Sequence, residues 1–106
     1  MQRLFCRYNN GNVEERADLA DLSALLRDPN AYLWVDLEGE PPEVVEAVSQ
    51  QFSLHPVTIE DLLHGSQRPK IEEFDGYIFV VVHGLKPVPD EEVPTDEFHI
   101  VLGKNW

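Results

Sequence analysis

The sequence predicts an α/β fold, a mixed sheet flanked by helices. Three observations point there: alternating apolar runs interleave with helix-period runs, strong turn signals separate them, and 42% apolar residues over 106 positions can fill one modest core. The order read from these patterns is β-β-α-β-α-α-β-β-β, in a single domain spanning residues 1–106.

Leu4, Cys6 and Tyr8 alternate with Arg3, Phe5 and Arg7, and Asn9-Asn10-Gly11-Asn12 turns the chain into Val13 to Arg16, an opening hairpin. Asp18 suits a helix N-cap, Leu19, Leu22, Leu25 and Leu26 fall on one helical face, and Asp28-Pro29 stops the helix. Tyr32 to Leu37 alternates as a strand with both faces at least partly covered. Gly39 to Pro42 turns into a second helix, where Pro42 is tolerated because the first helical N–H lacks a partner anyway. Val44, Val45, Val48 and Phe52 mark its buried stripe.

Pro56 opens a third, short helix with Val57, Leu62 and Ile59 facing inward and Gly65 as a left-handed stop. Pro69 cannot donate to a ladder, so the next strand starts at Lys70. Asp75-Gly76 signals a hairpin into Tyr77 to Val82, the most buried-looking strand. Pro87, Pro89 and Pro94 with Asp90-Glu91-Glu92 read as an exposed loop, and Phe98 to Leu102 as the last strand.

Composition excludes several classes of function. Twenty acidic against eight basic residues give a net charge of −12, which repels phosphate backbones and removes the main term in nucleic-acid affinity. The same field concentrates cations. The longest apolar run, Tyr77 to Val82, falls far short of the roughly 20 residues a membrane helix needs. No signal-peptide h-region follows Met1, so a soluble, cytosolic piece is expected. Cys6 is the single cysteine, which rules out an internal disulfide and reads as a small apolar strand residue. Esterase-elbow, phosphate-loop and dinucleotide motifs are missing, and the reading is of a protein that is not an enzyme.

The stretch richest in chemistry is Leu54-His55-Pro56-Val57-Thr58-Ile59-Glu60-Asp61-Leu62-Leu63, followed by Gln67-Arg68-Pro69-Lys70-Ile71-Glu72-Glu73-Phe74. Glu60 and Asp61 point about 100° apart on a helix, so they cannot cage one small ion by themselves, whereas Mg2+ takes six oxygens and keeps several waters. They form half of a shared site or a solvated helix face. His55, His64, His83 and His99 lack the spacing of a single-helix or hairpin metal clip. Gln67 to Lys70 is basic in an acidic chain; an internal role, with Arg68 pairing to Glu72 or Glu73, is favoured over docking to an acidic surface. Asp36, Glu38 and Glu40 read as loop and helix-end charges.

The His-Pro step, the Glu-Asp pair and the Gln-Arg-Pro-Lys run, in this order and spacing, resemble the cytoplasmic domain of CorA-type magnesium/cobalt transporters. The resemblance is densest over Trp34 to Val82, weaker at Lys104-Asn105 and thin before Tyr32. It implies an α/β/α sandwich, incomplete at the C-terminus, with a further strand and helices after Lys104-Asn105. It also implies that Glu60 and Asp61 are metal ligands sensing intracellular Mg2+ at the subunit interfaces of a homopentamer, the partner acid lying on a stalk helix outside this chain. Mg2+ binding by the isolated piece is then weak or absent. The family's ion pathway lies in C-terminal transmembrane helices with a Gly-Met-Asn signature, which this sequence lacks. The chain is accordingly read as part of a domain at the cytoplasmic face of the membrane, reaching the membrane only through the missing segments.

Two alternatives within that resemblance stay open, a zinc-transporting member of the superfamily and a stand-alone soluble interaction module of this fold. A third rival, a small metal-dependent enzyme, requires Asp36, Glu60 and Asp61 to converge.

Overall fold

A computed structural model of the chain describes residues 1–16, 18–85 and 95–106. They form two compact units, Met1–His55 with Asn105–Trp106, and Pro56–Lys104. The α/β class holds, and the strands of the described residues pair as two three-stranded antiparallel sheets. The loop expected around Pro87, Pro89 and Pro94 lies outside the described residues.

In the first unit β1 (Gln2–Tyr8) is central, between β2 (Val13–Arg16) and β3 (Ala31–Leu37). The turn after β1 closes on the Tyr8 N–H to Asn12 carbonyl bond of 2.9 Å, with Gly11 at φ 88°, where a side chain would be strained. Because β2 and β3 both run antiparallel to β1, they are parallel to each other, and the connection between them must cross over. That crossover carries α1 (Leu22–Leu26). Period-2 alternation then sorts the sheet: Leu4 and Cys6 of β1 with Ala31 and Leu33 of β3 share one face, where Leu22 and Leu25 of α1 and Val48 of α2 (Pro42–Gln51) complete the core. Cys6 is buried there as a free thiol.

Two expectations need correction here. Asp18 does not cap the helix. Its carboxylate accepts the Ala20 N–H at 3.0 Å, a local turn that competes with helical hydrogen bonding, so α1 starts only after Asp21. Nor is the second face of β3 covered, since Tyr32 and Trp34 are 51% and 70% exposed. Asn105 and Trp106 also belong to this unit: the Leu33 N–H donates to the Asn105 carbonyl at 2.8 Å, and Trp106 meets Phe52 edge-on.

The second unit is a meander, β4 (Lys70–Phe74), β5 (Tyr77–Leu85) and β6 (Thr95–Gly103), joined to α3 (Pro56–Leu63). Tyr77, Phe79 and Val81 of β5 are buried. The opposite face is not: Ile71, Phe98 and Leu102 are 72%, 52% and 48% exposed, so β5 is sealed on one side only.

Within α3 the inward residue is Thr58, fully buried, with its hydroxyl 2.8 Å from the Tyr77 phenol. That bond fixes the helix's rotation, and Val57, one residue or about 100° away, is turned out to 45% exposure instead of facing inward. The left-handed residue after α3 is Ser66, at φ 65°, and not Gly65.

Candidate functional site

Pro56 starts α3 with a preset φ and no N–H to lose, and the Thr58–Tyr77 bond anchors its first turn on β5. The two acids follow from that anchor. Glu60 lies about 200° round the helix from Thr58 and is exposed, whereas Asp61 lies about 60° from it on the near side and is half-buried. The adjacent carboxylates therefore divide between solvent and the sheet.

Asp61 already has a partner. Lys70, at the start of β4, places its ammonium 2.7 Å from the Asp61 carboxylate and 2.5 Å from that of Glu72, and 5.5 Å from the centre of the Phe79 ring. Contact with Asp61 first, and with Glu72 second, raises the Lys70 pKa above its ordinary value. The stability tied to this raised pKa is fully present below the ordinary lysine range and is lost only as pH rises through the folded value. Across neutral pH the Lys70–Asp61 pair is a constant feature. Lys70, and not Arg68, is thus the cation that pairs with Glu72, and Arg68 is exposed.

Glu60 is more open. Its side chain faces solvent, and its carbonyl accepts the His64 N–H at 3.0 Å and stands 2.8 Å from the His64 ring, which closes the C-terminal turn. Among the described residues no group of three or more His, Cys, Asp or Glu side chains is placed to hold a metal ion. α3 can thus offer one free carboxylate and one paired carboxylate to a cation whose remaining ligands come from water or from another chain.

The other acids singled out in the sequence have local roles. Glu40 takes the Met1 ammonium at 2.8 Å, and that contact lowers its pKa. Asp36 stands opposite Arg3 in the β1–β3 register.

Sequence reasoning missed a second polar cluster. Glu97 and His99 lie on one face of β6, and the register sets His83 of β5 directly across from Glu97. The His99 ring is 2.5 Å from the Glu97 carboxylate, both carboxylate oxygens lie 3.1 Å from the Gln67 N–H, and the His83 ring is 2.9 Å from the Gln67 carbonyl. The available signal was the Glu97-x-His99 spacing, which puts both side chains on one side of a strand.

The family described as CorA-like Mg2+ transporter protein matches residues 29–106. The chain is 30% identical over 102 residues to the cobalt/magnesium transport protein CorA of Thermotoga maritima, covering 91% of this chain and 29% of that protein. It is 36% identical over 76 residues to the Bacillus subtilis protein named "Putative metal ion transporter YfjQ", covering 72% and 23%. The manganese resistance protein MNR2 of Saccharomyces cerevisiae matches at 30% over 60 residues, 57% of this chain and 6% of that one. The chain spans less than a third of the length of these relatives. Among the described residues no helix is long and apolar enough to cross a membrane. With the family matched over more than half its length, the chain belongs to the CorA-like Mg2+ transporters, a family of transporters and not of enzymes.

Proposed function

We propose that residues 1–106 are the N-terminal part of a single cytoplasmic domain of a divalent cation transporter, and that Glu60 and Asp61 sense intracellular Mg2+ at its subunit interfaces. The observation that supports this most is the division of the two acids on an anchored helix. Glu60 is displayed to solvent, and Asp61 is within reach but neutralised by Lys70. A hydrated Mg2+ bridging Glu60 to a carboxylate of a neighbouring subunit would offset like-charge repulsion across that interface, and its loss would restore the repulsion. Binding energy of this kind stabilises the closed assembly in proportion to metal concentration. The segments that would carry the ion, complete the ligand set and form the homo-oligomer, a pentamer in this reading, lie outside the chain.

The test uses the full-length transporter. Mg2+ should protect it from limited proteolysis, and Glu60→Gln should raise the Mg2+ concentration for half protection by about tenfold, the loss of one charged ligand. Asp61→Asn should raise it less, because Lys70 already occupies that carboxylate. Unchanged midpoints in both variants would remove these residues from the sensing role.

A further inference from the structure

Three charged side chains meet where α3 contacts the start of β4. The Lys70 ammonium lies 2.7 Å from Asp61 Oδ2 and 2.5 Å from Glu72 Oε1. The two contacts are not equivalent. That with Asp61 is a formed hydrogen bond, and the Asp61 side chain keeps 20% of its surface open, where another cation can approach. Glu72 Oε1 is shut off from solvent and accepts no aligned hydrogen bond among the described residues, so its contact with Lys70 is one of charge alone. A carboxylate oxygen kept from water without a donor is costly. Lys70 is thus shared between a satisfied acid open to solvent and a buried oxygen still short of a donor.

We propose that Lys70 is a built-in competitor for the Asp61 carboxylate, which sets the metal concentration at which α3 engages a divalent cation, and that Glu72 receives Lys70 when the cation takes Asp61. This presupposes that Glu60 and Asp61 meet the cation as described above. At equal distance from a carboxylate a divalent ion gains twice the coulombic energy of an ammonium, but Mg2+ gives up its water reluctantly. A hydrated Mg2+ on Glu60 alone therefore leaves Lys70 in place, and one held also by a neighbouring subunit's carboxylate displaces it. Because Lys70 is tethered, its effective concentration at Asp61 is fixed by the fold. Its release strands no charge. The ammonium already lies 2.5 Å from Glu72 Oε1 and carries three N–H groups, one of which supplies the donor that oxygen lacks. Without Glu72, a displaced Lys70 would be left part-buried and unpaired, which is strongly unfavourable.

The experiment follows Mg2+ protection of the full-length transporter from limited proteolysis. Lys70→Met frees one charged ligand and should lower the Mg2+ concentration for half protection by about tenfold. The same substitution should be silent in an Asp61→Asn background, where no carboxylate is left to compete for, and this coupling separates competition from a general change of charge. Glu72→Gln should raise the midpoint, because Lys70 is left with Asp61 alone. Glu73→Gln makes the same charge change at the next, exposed residue of β4 and should not move it. An unchanged midpoint in Lys70→Met, or a fall that persists with Asp61→Asn, would overturn the proposal. If Lys70→Met fails to assemble, Glu72→Gln decides: a midpoint that stays, falls, or moves no further than in Glu73→Gln would overturn it. Glu60→Gln separates the two levels. A midpoint that responds to Glu60→Gln but not to Lys70→Met removes the competitor and leaves the sensor, whereas one that responds to neither removes both.

Discussion

The two units solve the same problem, covering one face of a three-stranded sheet, with different chemistry. In the first, β1 and β3 meet two helices through Leu4, Cys6, Leu22, Leu25, Leu33 and Val48, a nearly all-aliphatic core. In the second, a single two-turn helix is fixed by the Thr58–Tyr77 hydrogen bond and by Lys70 between Asp61 and Glu72, and the connector after it by Glu97. Aliphatic burial is non-directional and insensitive to pH, whereas the second unit depends on a few directional contacts. The difference places the metal-sensing candidates on the unit where single bonds matter most. Both sheets also present a bare apolar face, carrying Trp34 and Tyr32 in one and Ile71, Phe98 and Leu102 in the other.

The comparison breaks first at the first unit's core. Leu22→Ala deletes a fully buried side chain and should cost about 2–5 kcal/mol, read from urea unfolding of the 106-residue chain. A cost below about 1 kcal/mol would mean that aliphatic packing is not what holds this unit. A smaller effect sharpens the contrast. Thr58→Val keeps the shape but leaves the Tyr77 phenol without this partner, and should cost about 1 kcal/mol. Hydrogen exchange should place the loosening in α3, with the strands of the first unit unchanged.

Much of this was legible before the structure. Strand alternation located Leu4, Cys6 and Leu33, because a period of two assigns faces without tertiary information. The Asp61–Lys70 contact was not legible, since it depends on the helix rotation set by Thr58, a residue whose polarity argued for the surface. Val57 was misplaced for the same reason. The Asp18 error came from local hydrogen bonding, where an Asx turn and an N-cap use the same residue type. The covered second face expected for β3 followed from its apolar content, and apolar content does not say whether a cover lies within the described residues. The Glu97 cluster needed the β5–β6 register, which pairs strands well separated in the sequence.

The central claim is that α3 offers Glu60 to a cation while Lys70 holds Asp61. The direct measurement is a Mg2+ titration of the 106-residue chain followed through side-chain carboxyl carbons by NMR, in the wild type and in Lys70→Met. The account predicts a weak, millimolar response at Glu60 with Asp61 unmoved in the wild type, and a response at Asp61 once Lys70 is replaced. An Asp61 signal that moves first in the wild type, or no response from either acid in both chains, would contradict it.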